Sequence, residues 1–214
     1  MNQTESISRR DWLRLGLAAS VGATLALPAG VAQSAPLRPR GFRGAYFPNV
    51  EVTAHTGRRL RFYDDVLKGK MVMLNFTYGS CDGACPAVTA NLMAVYEKLG
   101  ERVGRDIFMY SITLRPEADT PDVLRHHVEQ LGIGPGWLFL RASPVDVDLL
   151  RRRFGATDPD PAIDADTTQH TGMLFLGNEP LERWVGCPGE ARSEWIAKTM
   201  LRLEGPRRAS GEKT

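Results

Sequence analysis

The sequence predicts an α/β fold: a mixed central sheet flanked by helices, with a β-hairpin added at the N-terminal side. Three observations predict it. Apolar runs of strand length alternate with stretches whose apolar residues recur at helical spacing. The run Met71 to Thr77 is apolar at nearly every position, the mark of a strand covered on both faces. That strand leads into two cysteines, and the second, Cys85, stands directly before a proline and a helical pattern.

The elements follow in order. Val50 to Val52 and Leu60 to Phe62 flank the turn His55-Thr56-Gly57 and read as a hairpin. Tyr63 to Lys68 reads as a short helix or turn, and Met71 to Thr77 as the central strand. Pro86 to Leu99 reads as a helix, with Val88, Leu92, Val95 and Leu99 on one face and Gly100 ending it. Ile107 to Thr113 is the next strand. Thr120-Pro121 opens a helix to Leu131, the threonine as N-cap and the proline at the first helical position. Trp137 to Leu140 is a short strand. Ser143-Pro144 opens a helix closed by Arg151-Arg152-Arg153 and Gly155, where the arginines complement the negative end of the helix dipole. Ala156 to Gln169 reads as an acidic, proline-containing loop. Met173 to Gly177 and Leu181 to Val185 form a second hairpin, and Ser193 to Leu203 a closing helix. This order matches the thioredoxin topology with an N-terminal hairpin and an extra helix–strand pair.

The N-terminus carries Ser8-Arg9-Arg10-Asp11-Trp12-Leu13-Arg14, an apolar stretch from Leu15 to Leu27, then Pro28 and small residues through Ala35. This is the outline of a twin-arginine export signal, preferred over an ordinary secretory signal or an uncleaved membrane anchor. The apolar stretch is short and rich in Gly and Ala for a membrane span. Cleavage fits after Ala32 or Ser34, whereas Pro36 disfavours a cut after Ala35. The expected organisation is an export signal over 1–35, a linker over 36–44, one domain over 45–203 and a basic tail over 204–214. The expected location is periplasmic or otherwise extracytoplasmic, with membrane association if the N-terminal segment stays uncut. Of 27 basic and 25 acidic side chains, three and two fall in residues 1–35, so the remainder is nearly neutral. Nothing in that balance points to nucleic acid. All three cysteines lie beyond the signal, and an odd count in an oxidising compartment leaves one thiol unpaired or metal-held.

The chemistry concentrates at Cys81-Asp82-Gly83-Ala84-Cys85-Pro86. Three residues separate the cysteines, one more than in a thioredoxin redox motif, which moves the reading from disulfide exchange toward metal binding. Both thiols fall near the positive end of the following helix, which favours the thiolate. Two thiolates converge on one soft metal ion when reduced and pair as a disulfide when oxidised. They leave monovalent copper undercoordinated or linear, and a neutral imidazole completes a three-coordinate site. His126 and His127 are adjacent within a helix, so both cannot face one site, and His55 lies in a hairpin turn. His170 just precedes the strand at Met173, where a thioredoxin carries its cis-proline beside the thiols. Sulfur with imidazole suits copper, with zinc also compatible by ligand type.

The chain resembles the Sco/SenC copper chaperones over roughly residues 45–203. The resemblance rests on Asn75-Phe76-Thr77-Tyr78 leading into Cys81-x-x-x-Cys85-Pro86, on Pro116-Glu117-Ala118-Asp119-Thr120-Pro121, and on His170-Thr171 about 85 residues past the second cysteine. It implies a thioredoxin fold with an added hairpin, and copper, as Cu(I) or Cu(II), held by Cys81, Cys85 and His170. It implies delivery of that copper to the copper-site subunit of a terminal oxidase, in assembly of the dinuclear copper centre of cytochrome c oxidase. A thioredoxin-like reductant that keeps the cysteines reduced is an implied partner, and a second periplasmic copper carrier another. Four departures stand out: Arg115 where the family usually has Asp, Gln169 where an acidic residue often precedes the histidine, Asp82-Gly83-Ala84 without the common proline, and the extra Cys187.

Other readings stay open. A thiol–disulfide reductase would use Cys81 to attack and Cys85 to resolve, acting on cysteines of the oxidase, with no need for His170. A peroxide-reducing or redox-sensing relative would need a single sulfenate-forming cysteine, which the paired motif disfavours. Cys187 reads as a small buried hydrophobe in preference to a third thiol of the site. Met93, Met109 and Met173 read as core residues, Arg151 to Arg153 as a solvated helix end, and Asp158, Asp160, Asp164 and Asp166 as a surface loop lacking calcium-loop spacing.

Overall fold

The computed structural model describes residues 46–78, 85–165 and 172–205, with side chains from position 87 onward in the second segment and to position 164. All belong to the second of the two units into which the chain divides, Pro39–Thr214. The export signal, most of the linker and most of the basic tail lie outside the described residues.

Seven strands form one mixed sheet. They are β1 (Glu51–Ala54), β2 (Arg59–Arg61), β3 (Met71–Thr77), β4 (Ile107–Thr113), β5 (Trp137–Arg141), β6 (Met173–Asn178) and β7 (Arg183–Pro188), in the order β2-β1-β5-β4-β3-β6-β7. β3 runs parallel to β4 and antiparallel to β6, β4 runs parallel to β5, and β1 pairs antiparallel with β2 and β5. The helices are α1 (Cys85–Leu99), α2 (Pro121–Leu131), α3 (Pro144–Phe154), α4 (Pro161–Ala165) and α5 (Ser193–Arg202). This is the expected α/β, thioredoxin-like arrangement, with β1 and β2 as the added hairpin.

The period of two along β3 divides the core. Met73 faces α1, α2 and α5, packing with Val88, Leu92, Val95, Leu124, Ile196 and Met200. Val72, Leu74 and Phe76 face the other way, onto Val66, Leu67, Val147 and Leu150. β3 is therefore covered on both sides, as its nearly continuous apolar run requires. One polar pair sits inside it: Ser111 Oγ donates to Asn75 Oδ1 at 2.7 Å and accepts from Trp137 Nε1 at 3.0 Å. The three groups satisfy one another, so burying them carries little penalty.

The local signals work as read. Thr120 Oγ1 accepts from Val123 N at 3.3 Å, and Ser143 Oγ accepts from Asp146 N at 3.2 Å. α3 ends on Gly155 in the left-handed conformation, φ 69°.

Residues Phe62–Leu67 coil as a single π-helical turn, the short helix or turn expected over Tyr63 to Lys68. Three details differ from expectation. Asp160 Oδ1 accepts from Ala162 N at 2.8 Å, opening the short helix α4 inside the stretch read as a loop. The last strand begins at Arg183 and runs to Pro188, not from Leu181 to Val185. Asn178 causes that shift: its side chain accepts from Leu181 N at 3.2 Å and closes a 3-10 turn over Glu179–Leu181. Finally, Arg151 is not a solvated helix end, because it pairs with Asp164 with both side chains largely covered.

Candidate functional site

The site begins with how β3 ends. The strand delivers the chain through Thr77 to Tyr78, and α1 starts at Cys85. Cys81 and the residues Asp82, Gly83 and Ala84 lie outside the described residues. Cys85 is placed by its backbone, as the first residue of α1. His170 and Gln169 also lie outside the described residues. The described flanks of all three candidate ligands come together at one end of the sheet. β3 and β6 are antiparallel neighbours in the register Asn75↔Leu174, so the C-terminal end of one lies beside the N-terminal end of the other.

A tight junction fixes that end. Gly172, at φ 55°, and Gly189 meet the first turn of α1 at Val88. Gly189 N donates to Gly172 O at 2.8 Å. A Cβ on Gly189 would lie 2.6 Å from Gly172 O and 2.7 Å from Val88 Cγ1, so only glycine fits. Asn91, one turn further along α1, donates from its amide to Gly189 O at 2.6 Å and Ala191 O at 2.7 Å. Two helical positions thus hold the segment after His170 and the segment after Cys187 against α1.

The middle motif reaches the same end from β4. Leu114 N donates to Thr77 O at 2.8 Å. Thr113 Oγ1 donates to the carboxylate of the fully buried Asp119 and accepts from Arg115 N at 3.0 Å. The Arg115 guanidinium lies over the Tyr78 ring, 5.2 Å from its centroid. The departure from the family pattern at Arg115 therefore puts a cation over the last described residue before the thiol loop. From the sequence Asp119 stands out only as part of the middle motif that carries the family resemblance. Its signal was present, a threonine ending a strand and an aspartate just ahead of an N-cap.

The remaining candidates are accounted for. Cys187 is buried on β7 opposite Leu174, in the core beneath α1, and burial pushes its thiol up to about 11. It is protonated and inert near neutral pH, as the buried-hydrophobe reading expected. His55 Nδ1 accepts from Phe139 N at 3.2 Å, which assigns the proton of the neutral ring to Nε2. Its pKa is lowered by burial and secondarily by Arg125. His127 rests edge-on against Phe139 at 5.5 Å, and burial lowers its pKa too, with Asp119 opposing. Met109 is core and Met93 packs against the core, whereas Met173 is half-buried. Among the described residues no three His, Cys, Asp or Glu side chains group to hold a metal ion.

The SCO1/SenC family model matches residues 43–202. The chain belongs to the SCO1/SenC family. It is 28% identical over 88 residues to the mitochondrial SCO1 homolog 1 of Arabidopsis thaliana, a match covering 41% of this chain and 26% of that protein. The chain thus spans about a quarter of that relative's length. Among solved structures it is similar to ScoI of Bradyrhizobium japonicum with copper bound, with TM-score 0.57 and 21% identity over 72% of this chain and 96% of that one. It is similar also to BsSco, a Sco-family cytochrome c oxidase assembly protein in which a disulfide switch was identified, with TM-score 0.58 and 20% identity over 72% of this chain and 90% of that one. At these identities the structures support the shared fold.

Proposed function

We propose that this SCO1/SenC protein is a periplasmic copper chaperone, exported through its twin-arginine segment, that passes copper to the copper-site subunit of a terminal oxidase. Copper is its cargo. Cys81, Cys85 and His170 are the proposed ligands. The observation that carries the reading is the junction of Gly172, Gly189 and Val88. It ties the backbone two residues past His170 to the helical turn that begins at Cys85. The proposed ligands come from two segments far apart in sequence, and this junction joins the described flanks of both. The donor set fits the ion: two thiolates at a helix N-terminus and one imidazole suit Cu(I). Cys187, buried and protonated, leaves the chemistry to the paired cysteines.

In this reading the chain's own groups do two things. The α1 N-terminus lowers the cost of ionising Cys85. The glycine junction holds Gly172 and Gly189 against the first turn of α1. Reduction of the cysteine pair precedes loading, because a disulfide and a copper–dithiolate exclude one another. The thioredoxin-like reductant and a second copper carrier are proposed partners on that ground.

The test is an anaerobic Cu(I) competition titration of the reduced protein beside Cys81→Ser, Cys85→Ser and His170→Ala. One copper per chain, weakened by all three changes, is the expected result. Binding indifferent to His170 would overturn the ligand set and leave thiol–disulfide exchange on oxidase cysteines as the activity of the Cys81/Cys85 pair.

A further inference from the structure

A second feature lies on the sheet face opposite α1 and takes no part in the copper reading. Tyr46, Phe47, Phe154, Phe175 and Trp184, together with Arg153, line a cavity of about 300 Å³. Its walls are an aromatic cluster. Phe47 stands 4.7 Å from Trp184 and 5.0 Å from Phe154, and Phe154 stands 5.3 Å from Phe175, all with tilted rings. The indole is fixed in place by Gly177 on β6, where a Cβ would come within 2.4 Å of Trp184 Cζ3. The strand backbone thereby gives the ring a flat seat that no other residue would allow.

The polar groups are few and of one sign. Arg153 is the one charged residue among the described lining residues. Its guanidinium lies over the Tyr46 ring, 5.5 Å from the centroid, and forms no ion pair with any described residue. Its carbonyl is already used, accepting from Tyr46 Oη at 2.6 Å. Trp184 Nε1 is buried without a hydrogen-bond partner among the described residues and is shielded from solvent, so the indole serves the cavity through its ring. No carboxylate stands among the described lining residues to welcome a cation.

We propose that this cavity binds a planar aromatic anion, a one- or two-ring carboxylate or sulfonate. The rings offer stacking and edge contacts to a flat apolar body. The guanidinium, without an ion pair among the described residues, offers its planar fork to an anionic group. A cavity of about this size is at the small end of ligand pockets, matching one or two rings and not a nucleotide. The proposal is independent of copper, since none of its residues belongs to the thiol–histidine site.

The test uses the full chain titrated calorimetrically with 1-naphthoate, and in parallel with 1-naphthylmethylamine, its cationic counterpart. One naphthoate per chain is expected, with the amine bound at least about tenfold more weakly. Arg153→Met should erase the preference for the anion, and Arg153→Lys should keep part of it. Thermal melting of each variant verifies that it is folded. No binding of naphthoate at millimolar concentration, equal binding of amine and acid, or naphthoate affinity unchanged in Arg153→Met would each overturn the proposal.

Discussion

Gly189→Ala drives a methyl group into the junction between α1 and the start of β6 without touching a proposed ligand. The added carbon would stand 2.6 Å from Gly172 O and 2.7 Å from Val88 Cγ1. Comfortable contact needs about 3.5 Å, so the two sides must part by about 0.8 Å. Val88 can give way by rotating, but Gly172 O is backbone and already bonded to Gly189 N. The strand must therefore move, and with it the segment from His170 to Gly172. Overpacking of this kind costs about 1–3 kcal/mol. For a chain of this size that lowers the melting temperature by about 3–10 °C. A displacement near 1 Å in a three-ligand site should weaken Cu(I) by about ten- to a hundredfold. Differential scanning calorimetry and the Cu(I) competition assay read the two effects separately. A variant that melts like its parent would refute the steric argument. One that melts lower yet binds copper equally would refute the claim that this junction sets the site.

Three further outcomes are expected. In a Cys81→Ser, Cys85→Ser background Cys187 should stay unreactive toward a thiol reagent near neutral pH and react once per chain in denaturant, because burial keeps it protonated. Acid should destabilise the fold through His55 and His127, whose pKa values lie below the usual 6.5. The unfolded chain then takes up protons first, so this stability is present above about pH 6.5 and is lost as pH falls through the lowered values. His55→Asn, whose side-chain oxygen accepts the same Phe139 N–H, should flatten the loss of melting temperature between pH 7 and pH 5. Thr113→Val removes the hydroxyl that bonds both Asp119 and Arg115 N, and urea unfolding should show a loss of about 1–3 kcal/mol.

Much of the fold was legible because its signals are local. The limits of β3 and β4 follow from nearly continuous apolar runs, and α2 and α3 from Thr120-Pro121, Ser143-Pro144 and Gly155. The errors fell where a side chain redirects the backbone. Asn178 closes a turn that pushes β7 two residues later than its apolar pattern implies. Asp160 caps a helix in a stretch whose acidity reads as loop. The Asp160-Pro161 pair carried that signal, because an aspartate before a proline is a helix start as well as a turn.

The sequence by itself determined which residues the proposed chemistry rests on: two cysteines at a helix start, a histidine ahead of a late strand, and the family resemblance they carry. Local composition suffices for this, since a thiol's neighbours along the chain set its place at a helix start. Only the tertiary structure decided which distant pieces meet. Gly172, Gly189 and Val88 form their junction because β6 and β7 fold back beside β3. Phe47, Phe154 and Trp184 enclose a cavity because a loop, a helix end and an edge strand converge on one sheet face. Such contacts depend on sheet order and close packing between segments as far apart in the chain as Phe47 and Trp184, and no local pattern encodes them.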